Sequence, residues 1–116
     1  MAKLWSNFGG VVLDDFVKVA SVEDISSGGM SLIELQGKRI LLANVEGTYY
    51  AVDEACTHSD CPLSEGALEG AVVSCPCHGS KFDLRTGIVV SPPAVESLVW
   101  YQVRIDNSDI LIGPEG

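Results

Sequence analysis

Cysteine and histidine come together twice in this chain, as CTHSDCPL over residues 56–63 and CPCHGSKF over residues 75–82, and these stretches hold all 4 cysteines and both histidines of the 116 residues. A thiolate is a soft anionic donor and an imidazole a neutral nitrogen donor. Cys56-x-His58 and Cys75-x-x-His78 therefore each offer one of both kinds from a short loop. The small step between the donors lets a loop turn both toward one centre, and residues 59–74 give the chain room to leave and return. Zinc and iron both accept this donor set: a single zinc with four ligands, or a two-iron centre in which one iron takes both cysteines and the other both histidines. Two disulfides would account for four cysteines but not for the histidines among them.

Such loops need a rigid frame, and the flanking sequence reads as β-strand. FVKVA (16–20) alternates. MSLIELQ (30–36) sets Leu32 on one side and Ile33 and Leu35 on the other. KRILLANV (38–45) and EGTYYAV (46–52) follow, with breaks at Gln36-Gly37-Lys38 and Glu46-Gly47-Thr48 that read as tight turns of a meander. GAVVSC (70–75) offers a short strand, and KFDLRTGIVV (81–90) reads as a hairpin turned at Arg85-Thr86-Gly87. After Pro92-Pro93, SLVWYQVRIDNSDILIG (97–113) returns to paired strands about a turn at 106–108, with Trp100 and Tyr101 on opposite faces. Val22–Ile25 is the one helical turn expected, behind a Ser21 cap. Together these signals predict one all-β, mostly antiparallel domain with the Cys-His groups on two loops. Residues 1–15 read as an arm or extra edge strand, in which Trp5 and Phe8 are expected to pack back onto the domain.

The formal charge of −9, from 7 basic and 16 acidic side chains, argues against nucleic acid and favours a basic protein surface as partner. Asp53, Glu54 and Asp60 flank the first loop, with Glu65 and Glu69 farther on, and are expected to steer such a partner; Lys81 and Arg85 are expected to balance nearby acids. No run is long or apolar enough to cross a bilayer and no signal-like core follows Met1, so the expected address is cytoplasmic.

CTHSDCPLSEGALEG (56–70), CPCHGSKFDLRTG (75–87) and the following Pro92-Pro93 resemble the two cluster-binding loops and the proline loop of the Rieske iron-sulfur family. The likeness extends back through LLANVEGTYYAVDEACTH and FVKVASVED, as in the soluble Rieske-type ferredoxins of multicomponent oxygenases. It implies a Rieske fold: an antiparallel β-sandwich over residues 16–113, with a cluster-binding subdomain made by two loops and a proline loop, and a tail at 114–116. It also implies one [2Fe-2S] cluster per chain, with Cys56 and Cys75 on one iron and His58 and His78 on the other.

By the same resemblance Cys61 and Cys77 match the disulfide that ties the two loops together in respiratory Rieske proteins; a pair of free thiols is the alternative in a reducing cytosol. Ser80 stands where high-potential members place a hydroxyl that hydrogen-bonds a bridging sulfide, although an ordinary turn hydroxyl also fits. Phe82 stands where they place a tyrosine, whose hydroxyl is then lost here. The implied function is one-electron transfer between a reductase and a terminal oxygenase, by a carrier rather than an enzyme: the two histidines are taken by iron, and fully ligated irons leave no open position for a substrate. The small Rieske subunit of a nitrite reductase is the alternative, ahead of a structural zinc module or a thiol redox sensor.

Overall fold

The structure, a computed structural model, describes residues 15–116. The arm expected over residues 1–15, with Trp5 and Phe8, lies outside the described residues except for Asp15. Strands β1 (Val17–Ser21), β2 (Met30–Leu35), β3 (Lys38–Val45) and β4 (Thr48–Asp53) lead into the loop region, and β9 (Trp100–Asp106) and β10 (Asp109–Glu115) follow it. These six form one antiparallel sheet in the order β1-β10-β9-β4-β3-β2. Between β4 and β9 the chain builds a second antiparallel sheet of four three-residue strands in sequence order, β5 (Ala67–Glu69), β6 (Val72–Ser74), β7 (Lys81–Asp83) and β8 (Val89–Ser91).

Strand β3 decides how the two layers meet. Side chains along a strand alternate between its faces, yet all five residues from Ile40 to Asn44 are buried. Ile40 and Leu42 enter one core with Ala51, Tyr101, Ile110 and Ile112. Leu41 and Ala43 enter another with Val52, Leu63, Val73, Phe82 and Leu84. A strand buried on both sides reads as an unbroken apolar run, as ILLA does here. The second core also contains Cys56 and Cys75, so the two Cys-His loops rest on the wall formed by β3 and β4.

Several expectations hold at residue level. Leu32 is exposed, while Ile33 and Leu35 pack on the first core. Tyr101 is buried and Trp100 is 39 % exposed. Val22–Asp24 form one 3₁₀ turn with Ser21 as its N-cap residue, and the Asp24 carboxylate reaches back to accept the Ser21 N–H at 2.9 Å. Arg85 pairs with Asp83 at 2.8 Å, holding that carboxyl below its usual range. Strand β5 lies in a stretch that gave no strand signal, because three residues are too few to display a period. Strand β10 continues to Glu115, two residues into the segment read as a tail.

Candidate metal centre

Each Cys-His loop is a six-residue turn with the same two backbone bonds. In the first, Cys56 N–H donates to the Cys61 carbonyl (3.0 Å) and Asp60 N–H to the Cys56 carbonyl (2.8 Å). In the second, Cys75 N–H donates to the Ser80 carbonyl (2.7 Å) and Gly79 N–H to the Cys75 carbonyl (3.1 Å). The fifth residue is left-handed in both, with φ of 59° at Asp60 and 81° at Gly79. Glycine takes that conformation freely and aspartate is among the side chains that tolerate it.

The loops stand on different stems. The second closes the β6–β7 hairpin, where Ser74 pairs with Lys81 and Val73 with Phe82. The first has only an isolated bridge between Ala55 and Pro62, and proline lacks the N–H with which to extend it.

The four expected ligands are placed in two layers. Cys56 and Cys75 are buried, whereas His58 and His78 are exposed, with ring centroids 5.1 Å apart and planes near perpendicular. Burial pushes the Cys75 thiol up, but the backbone N–H groups of Cys77 and His78 and the side chains of Cys56 and Ser59 outweigh it, and the thiol lies below the ordinary cysteine value. The Ser59 hydroxyl is 3.9 Å from Cys75 Sγ. N–H and O–H donors around a buried sulfur favour a thiolate, the form that binds metal.

Cys61 and Cys77 are joined as a disulfide with Cα atoms 6.3 Å apart. Their sulfurs and that of Cys75 all lie within 4.8 Å of one another, a cysteine-rich region of the kind that holds a metal. The bonded pair has no thiolate to offer, which leaves Cys56 and Cys75 as the free sulfur donors.

The third loop is tied to both of the others. Ala94 N–H donates to Ser80 Oγ at 3.0 Å, and Thr57 Oγ1 donates to the Glu96 carbonyl at 2.7 Å. Ser80 is fully buried and its oxygen is occupied by Ala94; among the described residues its own proton meets no acceptor. A buried donor left this way is costly unless something beside it accepts. An anionic sulfur ligand next to Cys75 would do so, which makes the pocket fit an iron-sulfur group. Phe82 is wholly buried among Val73, Leu84, Cys56 and Cys75, an apolar packing role.

One expectation is corrected. Glu54, read as a steering charge, is only 1 % exposed: Ser64 N–H reaches its Oε1 at 3.1 Å and the Ser64 hydroxyl its Oε2 at 2.6 Å. A carboxylate so enclosed presents nothing to a partner. Asp53 accepts the Tyr101 hydroxyl at 2.6 Å; burial first, then this bond, raises the tyrosine's pKa. Asp60, Glu65 and Glu69 remain exposed. Thr57, Ala94 and Ser64 were not singled out from sequence. The one signal for Ser64 was Pro62, whose missing N–H requires the stem to find donors elsewhere.

A family model described as the Rieske [2Fe-2S] domain matches residues 15–102. The biphenyl dioxygenase ferredoxin subunit of Pseudomonas sp. (strain KKS102) is 39% identical over 98 residues, covering 84% of this chain and 90% of that one. The ferredoxin of carbazole 1,9a-dioxygenase from Nocardioides aromaticivorans IC177 superposes with a TM-score of 0.83 at 27% identity, over 85% of this chain and 97% of its own. A chain from the complex of reduced oxygenase and oxidised ferredoxin in carbazole 1,9a-dioxygenase gives a TM-score of 0.82 at 29% identity, over 86% and 94% of the two chains.

Proposed function

From membership of the Rieske [2Fe-2S] domain family, to which this chain belongs, we infer that it is the ferredoxin of a multicomponent dioxygenase system, passing single electrons from a reductase to an oxygenase. It is a carrier and not itself the oxygenase or the reductase. The observation that supports this most is the pair of exposed imidazoles above two buried cysteines, in a chain that spans nearly the whole length of its ferredoxin relatives.

The finer assignment is a single [2Fe-2S] cluster, with Cys56 and Cys75 on the inner iron and His58 and His78 on the outer. When bound, such a cluster takes up and releases one electron. The protein's part is to exclude water from the sulfur side with Leu63, Val73, Phe82 and Ala94, and to leave the imidazole edges open to a docked partner. Asp60, Glu65 and Glu69 lie on the exposed surface around the first loop and favour a partner with a basic rim. Residues 16–113 are proposed as the electron-transfer domain, with an arm at 1–15; β10 carries the sheet on to Glu115, beyond the boundary expected from sequence. Among the described residues no helix is long and apolar enough to cross a membrane; a cytoplasmic address is part of the proposal, tested by cell fractionation.

The Ser80 proton would stabilise the negative charge gained on reduction, while Phe82 has no hydroxyl to add to it. The midpoint is therefore expected between those of oxygenase ferredoxins and respiratory Rieske proteins. Low-temperature EPR on anaerobic reduced protein, followed by film voltammetry, tests both statements. The expected result is a two-iron signal with mixed sulfur and nitrogen ligation. Stoichiometric zinc without that signal would overturn the function, and a midpoint at either extreme would overturn the tuning.

A further inference from the structure

We propose that Glu54 is the positioning residue of the first ligand loop, its buried carboxylate clamping the loop's return limb. The proposal rests on the electron-transfer reading above and names a residue that the ligand set does not include.

Glu54 stands where the base sheet hands over to the loop. Its N–H donates to the Arg39 carbonyl at 3.0 Å, which fastens it to β3, and its own carbonyl accepts Leu63 N–H at 2.9 Å, which fastens the loop's return limb. The side chain adds two more bonds to that limb, from Ser64 N–H at 3.1 Å and from the Ser64 hydroxyl at 2.6 Å. Residues 56–61 are thus carried on a clamp between Glu54 and residues 63–64. The second loop needs no such clamp because the β6–β7 ladder supports it. With Pro62 unable to donate, the carboxylate supplies the closure that a ladder would otherwise give.

The substitutions Glu54→Gln, Glu54→Ala and Ser64→Ala, made in the full chain with its cluster, test the clamp. Glutamine keeps the shape, accepts the Ser64 N–H and donates to the Ser64 hydroxyl, so the clamp survives. Alanine removes it. Glu54→Gln should keep the wild-type EPR signal and lose iron to a chelator at the wild-type rate. Glu54→Ala should lose iron to a chelator about tenfold faster than wild type, with Ser64→Ala in between; if the alanine variant at 54 does not fold, Ser64→Ala carries this arm alone. Iron loss at the wild-type rate from Glu54→Ala and Ser64→Ala, or as fast from Glu54→Gln as from Glu54→Ala, overturns the proposal. A wild-type protein without the two-iron signal overturns the ligand assignment instead, and this proposal with it.

Discussion

Loop 56–61 and loop 75–80 take the same turn from sequences, CTHSDC and CPCHGS, that share only their first cysteine. Position by position, His58 of the first loop corresponds to Cys77 of the second, Ser59 to His78, and Cys61 to Ser80. The common backbone places both cysteines at the inner end. The histidine sits at the third position of one loop and the fourth of the other, and the two rings meet edge to face. The places left over receive the disulfide, which runs from the last residue of the first loop to the third of the second. One loop is thus a turn fitted to a hairpin, and the other is the same turn held by a bridge, a carboxylate and a sulfur bond. A single backbone solution can therefore rest on very different supports, and side-chain placement rather than backbone shape distinguishes the two halves of the site.

The strongest way to break this comparison is at the shared position. Cys56→Ser and Cys75→Ser, made separately, should each abolish the two-iron EPR signal, since the loops hold one centre between them; a native signal from either variant would mean that they do not. Next in size is the disulfide. Replacing both Cys61 and Cys77 by alanine releases a loop of 16-residue separation, and the lost constraint on the unfolded chain should cost about 3 kcal/mol in anaerobic denaturant unfolding. Because the bridge compensates for a weak stem, hydrogen exchange should rise in residues 56–64 more than in 72–83, and an even rise would show the two stems to be equally sound.

The smallest effect is at the left-handed fifth residue. Gly79→Ala should destabilise by about 1–2 kcal/mol through backbone strain alone, since an added Cβ meets nothing within 4 Å. Asp60→Gly should change stability by less than about 1 kcal/mol, because relief of strain and added freedom in the unfolded chain oppose each other. Equal effects in the two variants would show that the turns differ in strain after all.

Much of the frame was legible because its signals are periodic. Residues 30–52 and 97–113 alternate or run apolar for long enough that strand, turn and the separation of Leu32 from Ile33 and Leu35, and of Trp100 from Tyr101, follow from order alone, while which face turns inward does not. The short sheet was legible only in part. GAVVSC and KFDLRTGIVV signalled β6, β7 and β8, but Ala67–Glu69 pairs with β6 by virtue of where the chain is brought, not of what its three residues prefer. At the site, the metal-binding residue types announced themselves through chemistry and spacing. Glu54 did not, since a carboxylate beside other carboxylates has the same letter whether it faces water or is enclosed by Ser64.

The sequence by itself pointed to the candidate donors and determined the β character of the frame and the family, because these depend on residue type and on periods short enough to survive without a fold. Tertiary structure decided that Cys61 and Cys77 are bonded rather than free, which edge of the site meets solvent, and that Glu54 points inward. Those outcomes depend on distances between segments remote in the chain, and such distances exist only once β3 and β4 form the wall against which both loops are pressed.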